Sequence, residues 1–309
     1  MIVSCGEALI DMVPLHGADG ETGYRPLPGG SPFNVAIALA RLGSRTGFLS
    51  RVSTDFFGDL LVRTLEANAV DTGLVVRGPE PSTLAFVSIA AGEEPQYAFF
   101  NIGAADRSLV AADLPEPLPD AVDCLHFGSF SLAVEPAATT LAELMRRETG
   151  HRVISLDPNV RPTLVGEREA YVRRLERLVA LATVVKVSAA DLEWLYPGAS
   201  AEAIAVRWRD SGPALIAVTR GTDGAVALTG TTRAAVPGNR VDVVDTVGAG
   251  DTFQAGLLAR LAEFGRLGRD SVSTLTEAEL ADALSFAGRA AAITCSRAGA
   301  DPPRRAELR

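Results

Sequence analysis

Apolar and polar residues alternate along the first 70 residues of the chain in two different periods. IVSCGEALI reads as a buried strand, NVAIALARL as a helix, TGFLSRV as a second strand, and residues 58–70 as an amphipathic helix. Strands and helices in regular succession are typical of folds in which crossover helices join parallel strands. The opening therefore predicts a βαβα unit whose first strand ends at Asp11.

The same pattern continues in the second half of the chain. The apolar runs HRVISLD, ATVVKVS and ALIAVTR are each followed by helical sequence or a turn, as expected for buried parallel strands. AVALTG and TTRAAVPG then predict a hairpin, and two helices follow, at about residues 250–266 and 277–296. We predict one α/β domain over residues 1–309, with a doubly wound, mostly parallel sheet flanked by helices.

Two segments interrupt this alternation and predict a small separate sheet. Residues 13–27 are rich in Gly and Pro, and STLAFVSIA and PQYAFF read as paired strands around a turn at residues 92–94. Because no crossover helix follows either segment, we expect a β lid formed by approximately residues 12–27 and 83–101.

Composition and charge narrow the functional classes. The net charge of -9 disfavours binding to nucleic acid or to an anionic membrane. The chain has no basic N-terminal region and no apolar run of about 18 residues, so we expect a cytoplasmic protein. Lys186, the only lysine, lies in VVKVS, which excludes a Walker A loop. The three cysteines are far apart and suggest neither disulfides nor a metal cluster.

The segment DTVGAGDTF is the strongest candidate for chemistry. Gly248, Ala249 and Gly250 precede Asp251 at the start of an apolar-faced helix. Unpaired N–H groups at a helix N-terminus, with no side chain in the way, form a site for an anion such as a phosphoryl group. Taken alone, Asp251 could be a catalytic group or could simply complement the helix dipole.

A second motif makes a family recognisable. PGGSPFNVAIALARLG carries Gly29, Gly30 and Asn34, and it precedes DTVGAGDTF in the order and separation of the two signature motifs of the ribokinase-like (PfkB) carbohydrate kinases. The chain resembles that family over essentially its whole length. The resemblance implies a lidded α/β fold that transfers the γ-phosphate of ATP to a primary hydroxyl of a sugar.

The resemblance also implies site residues. Asp251 would be the general base, and the turn at Gly248, Ala249 and Gly250 would hold the developing phosphoryl charge. The sugar would be held by Asp11, Gly29, Gly30, Asn34 and Arg161. Period-two alternation separately places Tyr97 and Phe99 on one face of a lid strand, which suits packing on the sugar ring. Alternatives stay open: Asp11 could stabilise a turn, Asn34 could cap a helix, Arg161 could be exposed, and the aromatic pair could form a lid core.

For the nucleotide, the resemblance implies residues on two strand ends. They are Lys186, Ser188, Thr219, Gly221 and Gly224, together with Gly248 and Gly250. Where many relatives have Asn-x-x-Glu, this chain has Ser188-Ala189-Ala190-Asp191, so Asp191 is the candidate for acting on Mg²⁺. Some relatives also use K⁺ or dimerise through the lid, and we expect both as options here.

The choice of sugar is less constrained than the reaction. LAFVSIA, LHFGSFSL and LDPNVRP look most like bacterial fructokinases, and Asn101 stands where 2-keto-3-deoxygluconate kinases tend to have an arginine. We therefore predict fructose, with 2-keto-3-deoxygluconate or another sugar or nucleoside as the alternative. A silent sugar-binding regulator should have lost Asp251 or its glycine turn. A dinucleotide oxidoreductase should have G-x-G-x-x-G where GEALID stands.

Overall fold

The computed structural model describes residues 1–16, 21–88 and 96–308. The strands in this part of the chain are β1 Ile2–Cys5, β2 Leu9–His16, β3 Thr22–Gly29, β4 Thr46–Ser53, β5 Asp71–Gly78, β6 Thr83–Ser88, β7 Gln96–Phe100, β8 Cys124–Gly128, β9 Val153–Asp157, β10 Val184–Ser188, β11 Leu215–Thr219, β12 Ala225–Leu228 and β13 Arg233–Val236. The helices are α1 Ser31–Arg41, α2 Phe56–Ala67, α3 Ala137–Glu148, α4 Arg168–Leu181, α5 Ala189–Leu195, α6 Ala201–Ser211, α7 Ala249–Glu263, α8 Arg269–Ser273 and α9 Glu277–Cys295.

The main sheet has nine strands in the order β13-β12-β11-β10-β9-β8-β1-β4-β5 among the described residues. The seven strands from β11 to β5 are parallel, and β12 and β13 form an antiparallel hairpin at one edge. This arrangement confirms the predicted α/β class. The carboxyl ends of the parallel strands share one edge, which is where open α/β sheets bind ligands.

Helices cover both faces of the main sheet because the strands are apolar on both sides. One layer contains α3, α4, α5 and α6, with Trp208 and Leu175 in its core. The other contains α1, α7 and α9, and α7 lies so close to α9 that a Cβ at Gly256 would be 2.8 Å from Ala287 Cα. Helix α7 is therefore fixed against the sheet along most of its length, which fixes the position of its N-terminus.

A second sheet of four strands, β3-β2-β6-β7, lies apart from the main one. Strand β3 carries Pro26 and Pro28 at the sheet edge, where missing N–H donors are tolerated. Pro14 is tolerated in β2 because the pairing of β2 with β6 stops at Met12. The described parts of the predicted lid ranges, 12–27 and 83–101, fall on or next to this sheet, while residues 17–20 and 89–95, with the turn predicted at 92–94, lie outside the described residues.

The prediction of a single strand from Ile2 to Asp11 is wrong. The backbone breaks at Gly6, with φ +147°, and a Cβ there would be 2.5 Å from Ser131 Oγ and 2.6 Å from Pro32 Cγ. Strand β1 stays in the main sheet, whereas β2 enters the small sheet and carries Asp11. Asp11 therefore lies on the small sheet and not at the end of a main-sheet strand.

The predicted hairpin and the two predicted C-terminal helices are present, with bounds within about three residues of the expectation. In the part of the chain that the structure describes, no helix combines the length and apolar character needed to cross a membrane.

Candidate active site

A polar cavity of about 290 Å³ lies between the small sheet and the N-termini of α1 and α7. Its walls come from β2 and β7 on one side and from the loop after β9 and the turn before α7 on the other. The structure thus brings together residues that are far apart in sequence. The predicted site residues that line this cavity are Asp11, Gly30, Asn34, Tyr97, Phe99, Arg161, Gly248, Gly250 and Asp251.

Asp251 lies in the first turn of α7 and is 5% exposed. Its Oδ1 accepts hydrogen bonds from Ser31 Oγ at 2.7 Å and Asn159 Nδ2 at 3.2 Å, and its Oδ2 accepts one from Asn34 Nδ2 at 2.9 Å. The helix is capped at Gly248 and has no side-chain cap. Asp251 is therefore a carboxylate oriented by neutral donors at the cavity wall, and Asn34 does not cap α1 but contacts Asp251.

The chain needs glycine at position 248, just before α7, and is closely packed at Gly250, in the first turn of that helix. Gly248 has φ +75°, and a Cβ there would be 2.7 Å from Ala300 Cβ. At Gly250 a Cβ would be 3.0 Å from Lys186 Nζ. The N–H of Ala249 donates to Thr246 O at 3.3 Å, whereas those of Gly250 and Asp251 have no side-chain cap and are available to an incoming anion.

Asp11 and Gly30 lie on the opposite wall of the cavity, and Gly29 packs behind Asp11. Burial raises the pKa of Asp11 to about 6, with Arg161 opposing the rise and Asp251 adding to it. A Cβ at Gly29 would be 2.3 Å from Asp11 Oδ2, so glycine there leaves room for the carboxylate. Gly29 itself does not line the cavity, whereas Gly30 does, with φ +106°.

Arg161 reaches the cavity from the loop after β9. Its Nη1 donates to Asn159 Oδ1 at 2.7 Å, and Asn159 has a positive φ of 38° that turns the loop toward Asp251. Asn159 therefore contacts both the carboxylate of Asp251 and the guanidinium of Arg161. This loop orients a carboxylate and a guanidinium together.

Tyr97 and Phe99 extend from β7 into the cavity and stack on each other, with ring centroids 6.0 Å apart. Phe99 also packs edge-on against Phe130 at 5.8 Å, within the apolar cluster below the small sheet. Phe99 therefore takes part in a lid core and faces the cavity as well. The packing of these rings on a sugar stays a prediction.

A second cavity of about 250 Å³ lies beside the first, between the β12–β13 hairpin, α9 and the loop before α7. Thr219, Gly221 and Gly224 line it, together with Ala249, Gly250 and Phe253. Gly224 has φ +88°, and a Cβ there would be 2.0 Å from Val236 O. Thr246 and Gly250 line both cavities, so the two spaces meet at the N-terminus of α7.

Lys186 lines neither cavity. Its Nζ is buried and donates to Asp157 Oδ2 at 2.7 Å, on the neighbouring strand β9. Burial favours the neutral amine, but the charge and hydrogen bond of Asp157, together with the charges of Asp191 and Asp251, outweigh burial and raise the pKa of Lys186. The close approach to Gly250 puts this ammonium beneath the glycine turn. A direct contact of Lys186 with nucleotide stays a prediction that this geometry does not favour.

Ser188 and Asp191 also lie outside both cavities. Ser188 caps α5, and the two side chains form a reciprocal capping box. Asp191 Oδ1 accepts the N–H of Val160 at 3.0 Å, and its Oδ2 accepts Ser188 Oγ at 2.7 Å. Both oxygens are thus engaged by the protein, so Asp191 does not fit a direct Mg²⁺ ligand. No cluster of three or more His, Cys, Asp or Glu suited to a metal occurs among the described residues.

Two residues of the site were not foreseen from the sequence. Ser31 donates to Asp251, and Glu7 lines the polar cavity at 1% exposure. Ser31 follows directly on the Gly-Gly pair, and Glu7 is an acid within an otherwise apolar run. Those positions in the sequence were the available signs of a site role, and neither indicated which residue the side chain would contact.

The fold, the glycine turn and the oriented carboxylate define a small-molecule phosphotransferase. Residues 1–306 match the pfkB family of carbohydrate kinases. The chain is 43% identical to a fructokinase from Rhizobium leguminosarum bv. trifolii over 91% of this chain and 85% of that protein. The chain belongs to the pfkB family of carbohydrate kinases.

Solved structures agree with this assignment. A fructokinase from Xylella fastidiosa with bound ATP superposes with a TM-score of 0.90 at 30% identity, covering 99% of this chain and 96% of that one. A fructokinase double mutant from Vibrio cholerae, bound to fructose, ADP and a potassium ion, gives 0.86 at 30% identity, with coverage of 99% and 96%. The resemblance predicted from the two sequence motifs is confirmed.

Proposed function

We propose that this chain is an ATP-dependent fructokinase that phosphorylates a primary hydroxyl of fructose. The observation that carries the proposal is the meeting of the two cavities at Gly250, next to the buried carboxylate of Asp251. The sugar would occupy the polar cavity and the nucleotide the more apolar one. The γ-phosphoryl group would then lie at the N-terminus of α7.

The reaction follows from these positions. The sugar hydroxyl oxygen forms a bond to the γ-phosphorus while the bond from that phosphorus to the β–γ bridging oxygen breaks, and ADP leaves with that oxygen. The hydroxyl proton passes to Asp251, most readily to Oδ2, because Oδ2 accepts one hydrogen bond and Oδ1 accepts two. The open N–H groups of α7, and the ammonium of Lys186 beneath them, stabilise the negative charge on the phosphoryl group while it is transferred.

Charge at the polar cavity supports a neutral sugar. Three carboxyl groups line it, those of Glu7, Asp11 and Asp251, against one guanidinium, that of Arg161. A substrate carboxylate would meet more acids than cations there, which disfavours 2-keto-3-deoxygluconate. The expectations of Mg²⁺, of optional K⁺ and of a cytoplasmic location stay predictions from the sequence.

The test is ADP release in a coupled assay with ATP and fructose, ribose, 2-keto-3-deoxygluconate or nucleosides as acceptors. We expect the highest kcat/KM with fructose. A different acceptor preferred by about tenfold or more, equivalent to about 1.4 kcal/mol, would replace fructose in the proposal. Absence of ADP release with every acceptor would remove the kinase activity itself.

We also propose that two copies associate through the small sheet. Its face away from the cavity carries a row of rings in which Tyr24 and Phe100 each contact Phe86, at 5.0 and 5.5 Å. Tyr24 is 44% and Phe100 63% exposed, which leaves an apolar row open to a partner. Sedimentation should show a dimer that Phe100→Ser weakens, and a wild-type monomer at micromolar concentration would contradict the proposal.

A further inference from the structure

Glu7 is a buried acid with no role in the reaction described above. It lies at the junction where the chain leaves β1 for β2, and it lines the polar cavity. Its Oε1 accepts the N–H of Ser31 at 3.2 Å, while its buried Oε2 has no hydrogen bond of good geometry, although the hydroxyls of Ser129 and Ser131 lie close to the carboxyl group. A side chain kept only to fill this space would more favourably be apolar, because an unpaired buried oxygen costs stability.

The hydrogen bond to Ser31 replaces a missing helix cap. Helix α1 begins after Gly30, which has no side chain and cannot carry one, since a Cβ would be 2.9 Å from Glu7 O. Ser31 presents the first open N–H of the helix, and Pro32, the next residue, has none. Glu7, in the junction between β1 and β2, thus does what an N-cap side chain does locally.

Ser31 connects this cap to the base. Its backbone N–H is held by Glu7, and its hydroxyl donates to Asp251 Oδ1 at 2.7 Å. Asn159 Nδ2 donates to the same hydroxyl at 2.8 Å. The position of the Ser31 hydroxyl, and with it the orientation of the Asp251 carboxylate, therefore depends on how the first turn of α1 is anchored.

We propose that Glu7 is a positioning residue for phosphoryl transfer, which anchors the first turn of α1 so that Ser31 orients the carboxylate of Asp251. This inference rests on the proposed kinase function. Burial raises the pKa of Glu7 to about 7, with the hydroxyls of Ser131 and Ser129 opposing the rise. Either protonation state retains an acceptor oxygen for the Ser31 N–H. The length of the side chain, which sets the reach of that oxygen, therefore matters more than its charge.

Two variants separate reach from charge. Glu7→Gln keeps an oxygen at the same distance from the backbone and loses the charge, whereas Glu7→Asp keeps the charge and is one methylene too short. We expect Glu7→Gln to retain kcat within about threefold and Glu7→Asp to lower kcat about tenfold to a hundredfold, with KM for ATP unchanged. Glu148→Asp, in the buried part of α3 and outside both cavities, is the matched control and should leave kcat unchanged.

A double-mutant cycle tests whether Glu7 acts through Ser31. Ser31→Ala removes the hydroxyl, so Glu7→Asp should then lower kcat by little more than Ser31→Ala alone. The inference is overturned if Glu7→Asp has normal kcat, if Glu7→Gln is the more damaged of the two, or if the two effects multiply. If the wild type phosphorylates no acceptor, both the proposed kinase function and this inference fail. If the wild type is active and any of these three results is found, only this inference fails.

Discussion

Asp251 is the residue on which the chemistry depends most. Asp251→Asn keeps the shape of the side chain but removes its capacity to accept the proton of the sugar hydroxyl. We expect kcat to fall by about 10²- to 10⁴-fold, the range for a general base, with fructose binding largely retained. Glu263→Gln, at the other end of α7, should leave kcat unchanged. Near-normal turnover of Asp251→Asn would assign the proton to another group.

Asp11 gives the sugar site a pH dependence. With a pKa raised to about 6, its carboxylate gains a proton as the pH falls through that value, and it then accepts hydrogen bonds from sugar hydroxyls less well. KM for fructose should therefore rise below about pH 6. Arg161→Gln removes the cation that opposes the rise in pKa, so the increase in KM should begin at a higher pH. The surface variant Arg233→Gln should not move it, and an identical profile for Arg161→Gln would contradict the assignment.

At this scale, the sequence predicted the residues that sit in motifs but not their partners. Asp251 and Asn34 were predicted separately, yet their hydrogen bond spans 217 residues of sequence and depends on the packing of α1 beside α7. Lys186 was predicted to face nucleotide because it ends a strand. Whether it contacts a ligand or Asp157 depends on which strand lies next to β10, and the sequence does not specify strand order.

Strands β9 and β10 are joined by a buried ion pair, and its stability can be measured. Asp157 and Lys186 are at most 4% exposed in their side chains, so Lys186→Met leaves a buried carboxylate without its cation. We expect the free energy of unfolding in urea to fall by about 3–5 kcal/mol. Lys186→Met with Asp157→Leu should recover much of the loss, because no charge then remains buried.

The matched control is Arg174→Met, since the distance between Arg174 and Glu135, 2.6 Å, is close to the 2.7 Å of the buried pair, but their side chains are 25% and 50% exposed. Water screens this pair, so its loss should cost only about 0–1 kcal/mol. Equal losses for Lys186→Met and Arg174→Met would show that the Lys186 pair adds no more than a surface contact.

Elements with a single clear period were predicted well, and the break between two elements was not. The parallel strands, the β12–β13 hairpin and helices α7 and α9 follow from apolar runs and turn residues. IVSCGEALI is mostly apolar, and the Gly6-Glu7 pair within it was not sufficient to distinguish two strands from one. The break at Gly6 is imposed by Pro32 and Ser131, which pack against it from distant segments.

The whole molecule should be most stable at mildly acidic pH. Burial raises the pKa of Glu7 to about 7 and those of Asp11 and Asp106 to about 6. Between about pH 4 and these values the folded state binds protons that the unfolded chain releases, so the free energy of unfolding falls as the pH rises through that window.

Hydrogen-bonded carboxylates such as Asp55, whose pKa is lowered, and the buried His126, whose pKa burial lowers to about 3, act in the opposite direction and reduce the free energy of unfolding as the pH falls. The urea midpoint should therefore be higher at pH 5 than at pH 7.5, and Glu7→Gln should reduce the difference. A midpoint that increases steadily up to pH 7.5 would show that these buried acids are ionised at little cost.

The small sheet is built from two separate pieces of chain that pair in register, Leu9–Met12 alongside Thr83–Phe86. A chimera designed to exchange sugar preference between relatives must therefore take both pieces from the same protein. If only one piece were exchanged, its strand would pair with a strand from the other protein that does not match it. The splice sites near residues 6–8 and 30 coincide with Glu7 and Gly30, which support the base. A chimera should keep these two residues from the recipient, so that acceptor choice is transplanted while the phosphoryl-transfer machinery stays native.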